Sequence, residues 1–158
     1  MSTRRAFVET TLAAAAAALV APRALGAEYE SARGALDAIE GLSAQVVVRW
    51  QALRALPAAR TFSQKLLDEH GRLRSERVAL RKRLRLPVAA MRAAQASADA
   101  RSLGALREAQ NALMLAHAES LPALPDASAV DLIARHAIAA SRHLTLNDLW
   151  IEAEDARG

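Results

Sequence analysis

A long amphipathic segment between residues 128 and 152 constrains this chain more than any other stretch. Apolar side chains recur along it at the spacing of a helix. They form two adjoining rows, which contain Ile133, Ala137, Ala140 and Leu144, and Leu132, His136, Ala139, His143, Leu146 and Trp150. An apolar face this wide must be covered by other helices. His136 and His143 lie about 20° apart around the helix axis, so we expect both on one edge of the buried face.

The composition favours an all-α domain. Hydrophobic residues make up 53% of the 158 positions but aromatic residues only 3%, and the chain has six glycines and five prolines. Alanine and leucine dominate, whereas the β-branched and aromatic residues that favour strands are scarce. The chain has no cysteine, which excludes a disulfide, a thiolate metal ligand and covalently attached c-type haem. The formal net charge is only +4, without a recognised nucleic-acid-binding motif, so we predict no nucleic-acid partner.

The first 27 residues predict an export signal. Residues 2–8 (STRRAFV) resemble the twin-arginine translocation motif, and the apolar run at 12–21 is too short to span a bilayer comfortably. Residues 22–27 supply a small-residue cleavage region, with the cut after Gly26 or Ala27. We therefore predict a twin-arginine signal peptide at 1–27 and a periplasmic domain at 28–158, with no stable membrane span after cleavage.

Four helical segments are predicted in the remaining chain, at about 29–56, 58–86, 102–121 and 128–152. Prolines break the chain between them, because proline fits only the first turn of a helix. The inward stripes of the first three are Leu36, Ile39, Ser43, Val46, Trp50 and Leu53; Phe62, Leu66, Glu69, Leu73, Glu76 and Leu80; and Leu103, Leu106, Gln110, Leu113 and His117. We expect Ser128 and Asp131 to form a capping box at the start of the fourth helix.

The lengths of the connections predict the topology. Segments one and two are joined by a few residues, as are segments three and four, so each pair should form an antiparallel hairpin. The connection at 87–101 can reach ~50 Å, which exceeds the ~40 Å length of a 27-residue helix. It can therefore cross back along the whole bundle, as in ferritin-like bundles. Residues 88–98 are alternatively a short fifth helix.

The chain resembles exported bacterial members of the ferritin-like family. The resemblance covers most of residues 36–152 and rests on the hairpin spacing and on the runs at 67–70 (LDEH) and 140–143 (ASRH). Active members bind two irons through a Glu in the first and third helices and a Glu-x-x-His in the second and fourth. Transferred to this chain, those ligand positions fall on Ser43, Leu73, Glu76, Gln110, Ala140 and His143. Only Glu76 and His143 are strong ligands, so the resemblance implies the fold without the usual di-iron chemistry.

Polar residues interrupt the inward stripes at equivalent depths in the two hairpins. Sliding the second hairpin back by 67 residues places His136 on Glu69 and His143 on Glu76. Burying such groups is costly unless they are paired or bind a metal. One interpretation is therefore a pair of structural contacts, Glu69–His136 and Glu76–His143, which would fix the helix register.

The second interpretation is a rebuilt metal site. The candidate ligands are Glu69, Glu76, Gln110, His117, His136 and His143, and this donor set suits zinc, copper or iron. Residues seven apart on one helix are separated by ~10.5 Å, so at most one member of each such pair, for example Glu76 with His143, can share an ion. His70 is expected at the boundary of the buried face.

The sequence as a whole predicts an exported, non-catalytic bundle with a structural or accessory role and no cofactor. Its broad helix faces around Leu146 and Trp150 would then contact a partner protein or a second copy of the chain. The alternative is a periplasmic metal-binding or redox protein that holds a single transition-metal ion (iron, zinc or copper).

Overall fold

The computed structural model describes residues 31–88 and 101–155, and over these ranges the chain forms four α-helices and no strand. The helices are α1 (Ala32–Arg54), α2 (Arg60–Arg83), α3 (Leu103–Ser120) and α4 (Ala127–Asp155). Short 3-10 turns at Pro57–Ala59 and Leu121–Ala123 connect the helices of each hairpin. The predicted all-α four-helix bundle is therefore confirmed. The predicted signal peptide, at 1–27, and nearly all of the possible fifth helix, at 88–98, lie outside the described residues.

Contacts near the helix ends fix the directions of the helices. Arg49, in the last third of α1, donates a hydrogen bond to the carbonyl of Ala105 near the start of α3, at 3.2 Å. Arg83 ends α2 and pairs with Asp126, directly before α4, at 2.8 Å. Each of these helix pairs is therefore antiparallel, like the two hairpins. It follows that α2 ends and α3 begins at opposite ends of the bundle, which is the predicted arrangement of two hairpins joined by a long crossover.

The interior follows the predicted stripes on α1 and α3, but the stripe on α2 is shifted by one residue at three positions. All six predicted inward residues of α1 are buried. On α2 the buried row is Ser63, Leu66, His70, Leu73, Arg77 and Leu80. Glu69 and Glu76 therefore lie at the edge of the core and not on the predicted inward row, whereas Phe62 is half-buried and packs against the core. The reason is that Arg77 finds buried partners on α1, which offsets the cost of burying its charge.

Three aromatic rings close the end of the bundle where α1 and α4 finish. The rings of Trp50 and Trp150 stack with centroids 6.2 Å apart and planes within 6° of parallel. Phe62 meets both rings edge-on, at 5.6 and 5.7 Å. Trp50 is fully buried and Trp150 packs against the core. Both tryptophans thus serve as core anchors. Within the described ranges, none of the helices has the length and apolar character needed to cross a bilayer.

The start of α4 differs from the predicted capping box. The Asp126 carboxylate accepts a hydrogen bond from the backbone N–H of Ala129 at 2.8 Å, so Asp126 caps the helix. Ser128 lies inside the first turn, and Asp131 pairs instead with Arg135, four residues further on, at 3.2 Å. Asp126 is favoured because it precedes the helix and also binds Arg83, which ties the start of α4 to the end of α2.

The end of α2 has the geometry of a Schellman motif around a non-glycine residue. The N–H of Leu86 donates to the carbonyl of Arg81, and the N–H of Arg85 donates to that of Lys82, at 2.9 and 3.1 Å. This places Arg85 at φ 57°, in the left-handed region that favours glycine. Its exposed side chain contributes no core packing.

We predict that Arg85→Gly stabilises the protein by about 1 kcal/mol, because glycine removes the left-handed strain. Urea unfolding followed by circular dichroism measures this change. Lys82→Gly is the matched control, since it lies three residues earlier in regular helix and should destabilise the protein by about 1 kcal/mol. Equal destabilisation by the two variants would contradict the strained conformation at Arg85.

Candidate functional site

All four histidines of the chain lie inside the bundle and form two pairs. His70, on α2, and His143, on α4, have ring centroids 5.0 Å apart. His117, on α3, and His136, on α4, have ring centroids 5.9 Å apart. None of the four is more than 3% exposed. The two pairs lie about 10.5 Å apart along α4, because seven residues separate its two histidines.

The position of these histidines follows from the helical repeat of α4. Its buried row advances by alternating steps of four and three residues: Ala129, Ile133, His136, Ala140, His143 and Asn147. His136 and His143 are therefore on the inward row itself. Leu144 and Leu146 are only half-buried, whereas Asn147 is completely buried. Asn147 could not be recognised from the apolar pattern, because an amide side chain does not count toward an apolar stripe.

Each histidine of α4 binds a carboxylate on α2. The Nε2–H of His143 donates to Glu69, and the Nε2–H of His136 donates to Glu76, both at 2.9 Å. The expected pairs Glu69–His136 and Glu76–His143 are therefore wrong. The error has a geometric cause: α2 and α4 run antiparallel, so residues at matching positions of the sequence repeat lie at different depths.

Exposed arginines cover the two carboxylates on the solvent side. Arg142 binds Glu69, and Arg72 binds Glu76. Burial tends to raise the pKa of Glu69, but the hydrogen bond from His143 and the charge of Arg142 leave it below its usual value. The pKa of Glu76 is lowered first by its hydrogen bond from His136. Both carboxylates are thus ionised near neutral pH and act only as acceptors.

Burial keeps the four imidazoles neutral. Desolvation lowers the pKa of both His70 and His117 to about 3. Desolvation also lowers the pKa of His136 and His143, although the neighbouring glutamates oppose the shift. Near neutral pH each ring therefore carries one proton and one nitrogen lone pair.

The hydrogen bonds of three rings determine where these lone pairs lie. His136 and His143 use Nε2–H to bind a carboxylate, so the lone pair of each is on Nδ1. His117 donates Nδ1–H to the carbonyl of Leu113 at 2.7 Å, so its lone pair is on Nε2. All three of these nitrogens are buried without a hydrogen-bond partner, as is Nε2 of His70. Each histidine pair therefore contains two buried ring nitrogens without a hydrogen-bond partner.

A buried arginine acts on three of the four imidazoles. Arg77 is 1% exposed, and it donates to the carboxylate of Glu40 at 2.7 Å and to the hydroxyl of Ser43 at 3.2 Å. Its positive charge lowers the pKa of His117, His136 and His70, in each case after the larger effect of desolvation. The charges that act on His143 are instead those of Glu69 and Arg142.

Gln110 completes the set of predicted site residues inside the bundle. It is 2% exposed, and neither atom of its amide has a hydrogen-bond partner. It lies seven residues before His117 on α3, which runs antiparallel to α4, so it shares the depth of His143. Of the predicted ligands, His143 and Gln110 therefore lie at one depth of the bundle, and His117 and His136 lie at the other. Glu69 and Glu76 lie at the edge of the core, where each accepts a hydrogen bond from one imidazole. His70 is buried, so its expected position at the boundary is wrong.

The residues at the transferred di-iron positions do not fit a di-iron centre. Ser43 accepts a hydrogen bond from Arg77, and the carboxylate of Glu76 is occupied by His136 and Arg72. Within residues 31–88 and 101–155, no group of three or more histidine, aspartate or glutamate side chains is arranged to hold a metal ion. Any metal centre here must therefore combine imidazoles with a different kind of ligand.

Comparisons with protein-family models, with curated proteins and with solved structures found no match to this chain. The resemblance to the ferritin-like family consequently stays a prediction. The arrangement of the helices and the contacts of the four histidines are read directly from the structure.

We predict that the metal-free protein loses stability as the pH falls below about 6.5. In the unfolded chain histidine binds a proton near pH 6.5, whereas folded His70 and His117 do so only near pH 3. The unfolded state then binds more protons, so each of these two histidines lowers the free energy of unfolding by about 1 kcal/mol per pH unit in this window. Urea unfolding at pH 7.5 and at pH 5.0 measures the change, and His117→Gln should make the loss smaller. A free energy of unfolding that is equal at both pH values would contradict burial of neutral imidazoles.

A double-mutant cycle tests the observed pairing of α2 with α4. Glu76→Gln and His136→Gln should be coupled by about 0.5–3 kcal/mol, because the two side chains share a hydrogen bond. Glu76→Gln and His143→Gln should be additive to within about 0.5 kcal/mol, because their side chains lie at different depths. The free energies of unfolding of the single and double variants at pH 7.5 give both values. Stronger coupling to His143 than to His136 would overturn the observed register.

Proposed function

We propose that this protein is an exported, non-catalytic four-helix bundle that binds one transition-metal ion between His70 and His143. The supporting observation is that both rings are buried side by side while each keeps one ring nitrogen without a partner. Neutral imidazole is a common ligand of zinc, copper, nickel and cobalt. The absence of cysteine leaves imidazole as the softest strong ligand in the chain.

The ligand set would combine two imidazoles with an amide. His143 would bind through Nδ1 and His70 through Nε2, which are the two unpartnered ring nitrogens. Gln110, at the same depth as His143, offers an amide oxygen that no other group uses. Glu69 would not bind the ion, because it holds the opposite side of the His143 ring. Metal-binding histidines commonly have such a carboxylate, which fixes the tautomer and makes the ring more basic.

Electrostatics favours this pair over the His117–His136 pair. His117 and His136 both lie in the field of the Arg77 guanidinium, which disfavours a second cation. In the other pair Arg77 acts on His70 but not on His143. Glu76 at His136 and Glu69 at His143 are equivalent, so Arg77 makes the difference, and a cation is better accommodated beside His143. We assign the His117–His136 pair a structural role in orienting α3 and α4.

A structural or accessory role is the second candidate function. It is favoured by the two Glu–His hydrogen bonds, which already join α2 to α4 without any ion. It is also favoured by Ile138 and Leu149, which are each 48% exposed and lie on the same outer side of α4. In that case the buried pairs fix the helix register, and the outer side of α4 contacts a partner protein or a second copy of the chain.

We predict that the protein, purified without chelators from the periplasm of its expression host, binds one zinc or cobalt ion per chain. Elemental analysis and calorimetric titration with Zn²⁺ give the stoichiometry, and the visible spectrum of the Co²⁺ form reports imidazole coordination. His70→Gln and His143→Gln should abolish binding. Glu69→Gln should weaken it by about 10–100-fold, as expected when the carboxylate behind a metal-binding histidine is lost.

His117→Gln is the matched control for these variants. It removes an imidazole of equal burial from the other pair, so binding of one ion should persist. Loss of metal binding in His117→Gln together with retained binding in His70→Gln would place the ion at the His117–His136 pair and refute the assignment. A folded wild-type protein that binds no ion would establish the structural role instead.

A further inference from the structure

A groove between α1 and α2 leads from the surface to His70. Its volume is about 210 Å³. Ala44, Val47 and Leu67 supply apolar lining, and His70 and Arg74 are among the polar residues that line it. The groove is partly open because Gly71 has no side chain, and a Cβ atom there would meet nothing within 4 Å.

Arg74 brings an unused donor to this groove. Its Nε–H is buried and has no hydrogen-bond partner, although the side chain as a whole is 39% exposed. Its nearest carboxylate is that of Glu40, at 3.7 Å, and this carboxylate is already bound more closely by Arg77. A buried N–H without an acceptor costs free energy that a bound oxygen would recover.

The charges around the groove favour an anion. Arg54 and Arg74 both line it, and Arg77 lies behind its wall, bound to Glu40 and Ser43. Glu40 is the one carboxylate among the lining residues, and it is held by Arg77. An ion on His70 would add further positive charge at the inner end, since its imidazole ligands are neutral.

We propose that the groove binds a small carboxylate, one oxygen of which completes the coordination of the metal ion at His70 while the other accepts a hydrogen bond from the Nε–H of Arg74. This inference rests on the proposed metal site, which has three candidate protein ligands and therefore an open position. The apolar residues Ala44, Val47 and Leu67 would cover the hydrocarbon part of the carboxylate. Metal and carboxylate then bind cooperatively, and each raises the affinity for the other by the same factor.

The test uses acetate as the probe and the full chain loaded with Co²⁺. In perchlorate buffer at pH 7.5, acetate should shift the visible Co²⁺ spectrum and raise the affinity for Co²⁺ at least about fivefold, the lower end of typical coupling between two sites. Arg74→Gln should bind Co²⁺ but lose the effect of acetate. Lys65→Gln, which removes an exposed cation from the same helix outside the groove, should keep it.

A second variant protects the test against misfolding of Arg74→Gln. Ala44→Leu fills the groove without changing a charge, so it too should bind Co²⁺ and lose the effect of acetate. Wild-type protein that binds Co²⁺ identically with and without acetate would refute the carboxylate site and leave the metal site standing. Loss of the effect in Lys65→Gln as well would refute it by showing a general effect of surface charge. Failure of the wild type to bind Co²⁺ at all would refute the metal site, and the carboxylate site with it.

Discussion

The gap between α2 and α4 is the constraint on which the interior of this bundle depends. These two helices pack less closely than the other neighbouring pairs, and long polar side chains span the distance between them. Glu69 reaches His143 and Glu76 reaches His136, so the register of α2 against α4 is fixed by two hydrogen bonds rather than by apolar packing. Slippage by one helical turn would leave the Nε2–H groups of two buried imidazoles without acceptors, and each unpaired group would cost free energy.

The same hydrogen bonds leave the interior incompletely satisfied. Each carboxylate takes the proton-bearing nitrogen of its imidazole, which turns the other nitrogen toward the core. A purely structural pair would be better served by a ring whose second nitrogen reached solvent or accepted a hydrogen bond from a backbone N–H. His117 does not reach this state either, because its Nδ1–H binds the carbonyl of Leu113 and its Nε2 is buried without a partner. Buried ring nitrogens without a partner therefore occur in both pairs, and they are the observation that supports a bound ligand.

The fold could be predicted from the sequence more fully than the site. Apolar spacing and the prolines located all four helices, and the connection lengths predicted two hairpins with a long crossover. Which face of α2 points inward was not predictable, because Arg77 and His70 count as polar in an apolar pattern. Both are buried through contacts with other helices: Arg77 with Glu40 and Ser43, and His70 with His143. Likewise, nothing in the sequence indicated that Asp126 would cap α4, because its second partner, Arg83, belongs to another helix.

The pairing of the polar residues shows why a sequence repeat is a poor guide to contact. Sliding one hairpin along the other relates Glu69 to His136, and that relation correctly identified which residues would be buried or half-buried near the core. Contact obeys a different rule, because α2 and α4 are antiparallel: moving toward the C-terminus of one helix means moving toward the N-terminus of the other. Residues at matching repeat positions are therefore exchanged between the two depths. The repeat therefore identified the polar residues near the core but assigned each glutamate to the wrong histidine. The antiparallel direction of α2 and α4 accounts for both errors, because it exchanges the two histidines between the two glutamates.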